Sequence, residues 1–220
     1  MSTAIIVTID GPAGVGKTTL AKRVADALGV AYLDTGAMFR ATALILGHGA
    51  DQLPENELDA RLADIHFSLS GSGSVSTLSV HGRVIGDEIR SEEVGMMAST
   101  VGTLPRVRSF LKEQQQAVGA VTSLVAEGRD MGTVVFPRAS AKIFLDAAPE
   151  IRARRRVDQL HEMGKPADLS EITEQIRARD HQDRNRAIAP LKPAEDAHII
   201  DTGPLDIEGV FQAIMAVIKK

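Results

Sequence analysis

The chain has 220 residues, 44% apolar and 25% charged, with a net charge of −4. That apolar share at that length buries a good core, which excludes a disordered or fibrous chain and predicts one domain with room for a small insert. The acidic balance gives no general pull on a polyanion, so no nucleic-acid partner is expected and any phosphate chemistry must rest on locally placed arginines.

The opening MSTAIIVTID carries the first predicted strand, Ile5 to Ile9, and reaches Asp10 before its apolar run is long enough for a signal. No later run could span a membrane, so neither a leader nor a membrane partner is expected. Next comes GPAGVGKTT, in which Gly11, Gly16, Lys17 and Thr18 complete G-x-x-x-x-G-K-[ST]. Leu20, Val24 and Leu28 follow at helical spacing, with Gly29 as a stop, so strand, loop and helix stand in the order a phosphate cradle requires. Glycines let successive backbone N–H groups wrap a phosphate, a lysine reaches the β- and γ-phosphates, and a threonine hydroxyl meets Mg²⁺. The candidate ATP-binding set is Gly11, Pro12, Ala13, Gly14, Val15, Gly16, Lys17, Thr18 and Thr19, with Thr18 or Thr19 on the metal.

Ala31 to Leu33 is a weaker strand candidate ending at Asp34. Between about His66 and Arg90 the pattern changes: Phe67 and Leu69, then Leu78 and Val80, alternate with polar residues around glycine turns. Two readings fit this insert, a surface hairpin or a substrate-side module. Continuous apolar runs resume at Leu124 to Ala126, Ile143 to Leu145 and Ile199 to Ile200. Such runs predict strands covered on both faces, in a parallel sheet whose ligands lie beyond the strands' carboxyl ends.

The absence of cysteine removes disulfides and thiolate sites and fits a cytoplasmic protein. The six histidines show no metal-ligand spacing. Two polyanions brought together need fixed cations, and Arg40, Arg129, Arg179 and Arg186 are candidates. If the chain is helical there, Arg179, Asp183 and Arg186 share one face, which serves either a ligand or a solvated surface pair. Arg129 follows a strand directly, where ligands bind. Arg152, Arg154, Arg155 and Arg156 form either a mobile arginine lid or a solvated helix face. The absence of N-K-x-D and L-S-G-G-Q leaves small-molecule kinase as the leading class. A nucleotide switch without transfer and a nucleic-acid module stand behind it.

Together GPAGVGKTT, LDTGAMFR, LPRVR, EGRDMGTVVFP and RDHQDRNRAIAPL resemble the bacterial cytidylate kinases of the nucleoside-monophosphate kinase superfamily. The resemblance runs along nearly the whole chain, and GRDMGTVVFP is its most specific part. It implies an α/β P-loop kinase fold: a five-stranded parallel sheet flanked by helices, with an inserted small antiparallel sheet and a lid. The implied layout is a core of about 1–60 and 100–220, an insert at about 61–99 and a lid at about 152–178. It implies transfer of the γ-phosphoryl group of ATP to CMP or dCMP with Mg²⁺, in pyrimidine nucleotide metabolism, by a cytoplasmic monomer. Carried over by position, Arg40, Arg129 and Arg186 match the arginines holding the acceptor phosphate. Ser99, Arg108 and Asp130 match the residues around cytosine, Thr35 stands near the nucleoside, and Arg179 and Asp183 meet the sugar. Lys17, Arg129 and Arg186 are the catalytic candidates, and Arg152, Arg155 and Arg156 the lid candidates. Three positions depart from the family's usual residues: Thr18 for glycine, Thr35 for serine, Glu127 for aspartate. A sugar- or shikimate-type kinase, with Glu127 or Asp34 as base for a hydroxyl acceptor, is the alternative enzyme.

Overall fold

The computed structural model describes residues 4–219. Five strands form one parallel sheet flanked by helices: β1 (Ile6–Asp10), β2 (Ala31–Asp34), β6 (Leu124–Gly128), β7 (Ala141–Asp146) and β8 (His198–Asp201), in the order β2-β6-β1-β7-β8. A second sheet has the order β3-β4-β5, from Phe67–Ser70, Thr77–Val80 and Arg83–Val84. All five predicted strands and the predicted insert are therefore present. β6 is buried along its whole length, which is why it reads as a continuous apolar run. β8 is not: it is an edge strand, and its Ile199 is 63% exposed, so the expectation of cover on both faces fails there.

The chain divides into two compact units, described in turn. The first takes Ala25–Ala126 with the chain up to Ile6, and holds β2, the small sheet, and helices α2 (Thr35–Leu46), α3 (Glu55–Ala63), α4 (Glu92–Val101) and α5 (Pro105–Val121). Asp34 starts α2 by accepting the Ala37 N–H at 2.9 Å. Ser91 starts α4 in the same way, through Val94 N–H at 3.2 Å. Phe67 and Leu78 of the small sheet pack with Ile85 against a buried cluster of Ala37, Ala41, Ile89 and Val94, so the alternation read from the sequence has an apolar face to bury. The loop between β3 and β4 also binds the edge of the large sheet. Gly73 N–H donates to Val30 O at 2.7 Å, Tyr32 N–H to Ser76 Oγ at 2.8 Å, and Ser74 N–H to the Asp26 carboxylate at 2.7 Å. Open backbone groups on an edge strand would be a template for pairing with another chain, and this loop occupies the Tyr32 donor and, just before the strand, the Val30 acceptor.

The second unit takes Val7–Val24 and the chain from Glu127 onward. β1, β7 and β8 run parallel, with Ile9 opposite Ile143 and Leu145 opposite Ile200. The first helix, α1 (Lys17–Leu28), starts here, and α6 (Pro149–Glu162), α7 (Leu169–Asn185) and α8 (Ile207–Ile218) complete the unit. Gly11 joins β1 to the phosphate loop at φ +149°, where an added Cβ would lie 2.2 Å from the Leu145 carbonyl oxygen. The loop backbone thus passes directly over the end of β7, and only glycine fits.

Candidate active site

From Gly11 the chain turns through Gly14 and Gly16, at φ +82° and +87°, into the first turn of α1. These are left-handed positions that the motif's glycines supply without strain. Lys17 opens the helix and folds back over the loop, its Nζ donating to Pro12 O at 2.7 Å with only 7% exposure. Burial, with Arg129 nearby, holds the Lys17 ammonium well below the usual lysine range, while Glu127 and Asp10 oppose that shift. Thr18 donates its hydroxyl to the Glu127 carboxylate at 3.1 Å. Thr19, beside it, is exposed. The hydroxyl and carboxylate are hard oxygen donors of the kind that suit Mg²⁺, which takes one or two carboxylates beside substrate phosphates and keeps several waters. The residues present therefore fit that ion.

β6 ends in Glu127 and Gly128, and Arg129 and Asp130 follow before a π-helical turn at Met131–Val135. Asp10, at the end of β1, holds this turn: its two carboxylate oxygens accept Met131 N–H at 2.9 Å and Gly132 N–H at 2.8 Å. The turn packs closely at Gly132, where an added Cβ would meet Thr8 Oγ1 at 3.0 Å and Lys142 Cδ at 3.2 Å. Burial pushes the Asp10 carboxyl up to about 6, against the two N–H bonds and Lys17, which favour the charged form. A carboxyl whose folded pKa lies above its unfolded one binds its proton more tightly when folded. Its contribution to stability is therefore fully present below about pH 4 and is lost as pH rises through about 6, by up to about 3 kcal/mol. Urea unfolding of the wild type and Asp10→Asn between pH 4 and 7 checks this. The wild type loses stability relative to the variant between pH 4 and 6 and not above, whereas parallel pH curves would contradict the raised pKa.

Arg129 donates from Nε to Asp183 Oδ2 at 3.0 Å. Arg186 lies with Nη2 3.4 Å from Asp130 Oδ1 and Nη1 3.8 Å from Asp183 Oδ1. The structure thus brings Arg129, Asp130, Asp183 and Arg186 into one cluster. Arg186 reaches it differently from the helical reading: α7 stops at Asn185, and Arg186 has extended backbone at φ −64°, ψ 142°. Its Nε donates to Ala189 O at 2.5 Å, in a turn where Ala189 takes φ +50°, so the turn aims the side chain. Arg179 is exposed on α7, four residues before Asp183.

The arginine run of α6 divides. Arg152 is 1% exposed and ion-paired with Asp180, which corrects the expectation of a mobile lid cation there: a side chain closed in on all sides is an anchor. Arg155 donates to Thr202 Oγ1 at 3.1 Å and to Thr202 O at 2.6 Å. Arg156 is exposed and donates to Gln159 Oε1 of its own helix at 2.7 Å. The sequence reading passes over Asp10 and Asp180. Asp10 carried one signal, an acid closing an apolar run directly before Gly11, and Asp180 carried none apart from its place beside Arg179.

In the first unit, Thr35 is 2% exposed at the start of α2. Arg40, further along α2, donates to Ile89 O at 3.0 Å and Ser91 O at 3.4 Å, beside the start of α4. Arg108 of α5 donates to Gly102 O at 3.1 Å and lies over the Phe39 ring, 5.5 Å from its centre. Ser99 is exposed on α4, three residues before Gly102. Among the described residues no group of three or more histidines or acids could hold a metal ion on its own, and no helix is long and apolar enough to cross a membrane.

A family model described as cytidylate kinase matches residues 7–220. The chain belongs to the cytidylate kinase family. It is 59% identical over 219 residues to the cytidylate kinase of Oleidesulfovibrio alaskensis, with all of both chains covered. It is 63% identical over 214 residues to that of Nitratidesulfovibrio vulgaris, covering 97% of this chain and 92% of the relative. Among solved structures, the shikimate kinase of Bacteroides thetaiotaomicron matches with a TM-score of 0.51 over 98% of this chain and 99% of its own, at 16% identity, a likeness of fold. As a member of the cytidylate kinase family the chain is a kinase, so the switch and nucleic-acid readings give way.

Proposed function

We propose that this kinase moves the γ-phosphoryl group of ATP onto the phosphate of CMP or dCMP, giving ADP and CDP or dCDP. The observation that carries the reading is the cluster of Arg129, Asp130, Asp183 and Arg186, which shares its compact unit with the phosphate loop. In this reading Gly11 to Thr19 hold the triphosphate, whose charge restores the Lys17 ammonium that burial disfavours. Arg129, Arg186 and Arg40 hold the acceptor phosphate and cancel the repulsion between two polyanions. Arg179 and Asp183 meet the sugar, and Thr35 lies near the nucleoside. Asp130 accepts from the exocyclic amine of cytosine, while Ser99 and Arg108 donate to its ring acceptors.

Thr18 and Glu127 would hold Mg²⁺, at least partly through water. When bound, that ion supplies charge neutralisation between the β- and γ-phosphates. A phosphate monoester has its second pKa near about 6, so the acceptor oxygen is an anionic nucleophile at neutral pH and needs no protein base. Membership of the cytidylate kinase family supports this over a hydroxyl acceptor. Positioning then provides the rate. The core at about 1–60 and 100–220 carries the transfer in a cytoplasmic monomer, with the insert at about 61–99 on the acceptor side. The lid, about 152–178, opens beyond the anchored Arg152, with Arg156 as its exposed cation.

ADP release measured with CMP, dCMP, UMP, AMP and dTMP tests the reading. CMP or dCMP is the best acceptor; AMP or dTMP as the best would overturn it.

A further inference from the structure

Arg152 holds more partners than a structural ion pair requires. Its Nε donates to Ala147 O at 2.8 Å, its Nη1 to Ala13 O at 3.0 Å and to Asp180 Oδ1 at 3.0 Å, and its Nη2 to Asp180 Oδ2. Ala13 is in the middle of the phosphate loop, and the Arg152 stem lies against Gly14, 3.3 Å from where a Cβ would be. Asp180 lies on α7, one residue after Arg179 and three before Asp183, and Asp183 holds Arg129. One planar guanidinium, 1% exposed, therefore grips the donor loop with one hand and the acceptor-side helix with the other.

A buried ion pair is a poor source of stability, because apolar residues of similar volume often serve as well. What it provides here is direction: the fork fixes how α7 is turned relative to the loop carbonyl. Lysine, a point charge with a different reach, cannot satisfy Ala147 O, Ala13 O and both oxygens of Asp180 at once. We propose that Arg152 is a positioning residue that ties the phosphate loop to α7, so that the triphosphate and the monophosphate bind with mutual reinforcement. The proposal rests on the site reading given under Proposed function. Ordering the loop around a triphosphate fixes Ala13 O, which fixes Arg152, Asp180 and the turn of α7 that presents Asp183 and Arg179. By reciprocity, the monophosphate tightens the triphosphate equally.

The test is calorimetric titration of CMP into the full chain, alone and saturated with a non-hydrolysable ATP analogue and Mg²⁺. Two variants accompany the wild type. Arg152→Met/Asp180→Leu removes the pair without leaving either charge alone, and Arg152→Lys keeps a charge opposite Asp180. In the wild type the analogue tightens CMP by about 5-fold or more, within the usual range of coupling between sites. In either variant that retains a cooperative thermal melt, the tightening falls below about 2-fold, while analogue binding on its own changes by less than about 3-fold. A purely structural role would shift the melt and leave the tightening intact, and that result overturns the proposal, as does a wild type without tightening. A wild type that binds the analogue but no CMP overturns the acceptor reading itself, and the link with it.

Discussion

Arg129→Ala lowers kcat/KM for CMP by about 10²–10³-fold, the usual loss when one preorganised donor to a developing charge is removed. The side chain is 20% exposed and bonded to Asp183 at 3.0 Å, so it is already aimed and loses little freedom when substrate arrives. Its removal also takes the 3.0 Å bond from Asp183, whose contact with Arg186 Nη1 is longer, at 3.8 Å. Two effects therefore combine: a lost cation on the acceptor phosphate beside the developing charge, and a loosened sugar carboxylate. Arg129→Lys recovers less than about a tenth of the lost activity, because an ammonium cannot hold Asp183 and a phosphate oxygen in one plane. Asp183→Ala combined with Arg129→Ala costs much less than the product of the two single losses, since the residues act as a unit. Steady-state ADP release at saturating ATP reads all four variants, Asp183→Ala alone included. A loss under 10-fold for Arg129→Ala would remove this residue from the transferring site.

Asp130→Ala lowers the preference for CMP over UMP, expressed as the ratio of kcat/KM values, by about 10²-fold, while KM for ATP changes by less than about 3-fold. The reason lies in the base edges. Cytosine presents an amine donor where uracil presents a carbonyl, and a carboxylate only 5% exposed is a partner for the first and repels the second. Asp130→Asn separates this from a packing effect. The amide has the same shape, offers both an acceptor and a donor, and narrows the ratio by improving UMP. Arg186, whose Nη2 lies 3.4 Å from Asp130 Oδ1, still has an oxygen to donate to in that variant. An unchanged CMP preference in both variants would place base recognition elsewhere.

Particular residues show what was legible in the sequence. The strands of the large sheet stand out because continuous burial demands continuous apolar residues, as at Leu124, Val125 and Ala126, all 0% exposed. The phosphate loop is legible because its chemistry is local: glycines, lysine and threonine act within nine residues of one another. The acceptor side was reached by family resemblance more than by pattern, since Arg129 and Asp183 meet across 54 positions of sequence. Asp10 and Asp180 were missed for the same reason, because the partners of a buried acid are set by topology: Asp10 accepts from residues 121 and 122 positions away. For Arg152 neither a mobile lid nor a solvated face holds, because a run of arginines on a helix does not show in the sequence that one member points inward. The shared face of Arg179, Asp183 and Arg186 is conditional on a helix that ends at Asn185, and Arg186 comes near Asp183 because the following turn, not helical periodicity, directs it.

The loop at Gly73 to Ser76 has a consequence for how the small sheet moves. Tyr32 belongs to an edge strand of the large sheet, yet its amide is held by Ser76, a side chain of the insert. Deuterium uptake at that amide therefore reports on the detachment of the insert loop. Lifting the loop also frees Val30 O and the Asp26 carboxylate in the same event, so the insert leaves as a latch of several bonds rather than swinging as a loose hairpin.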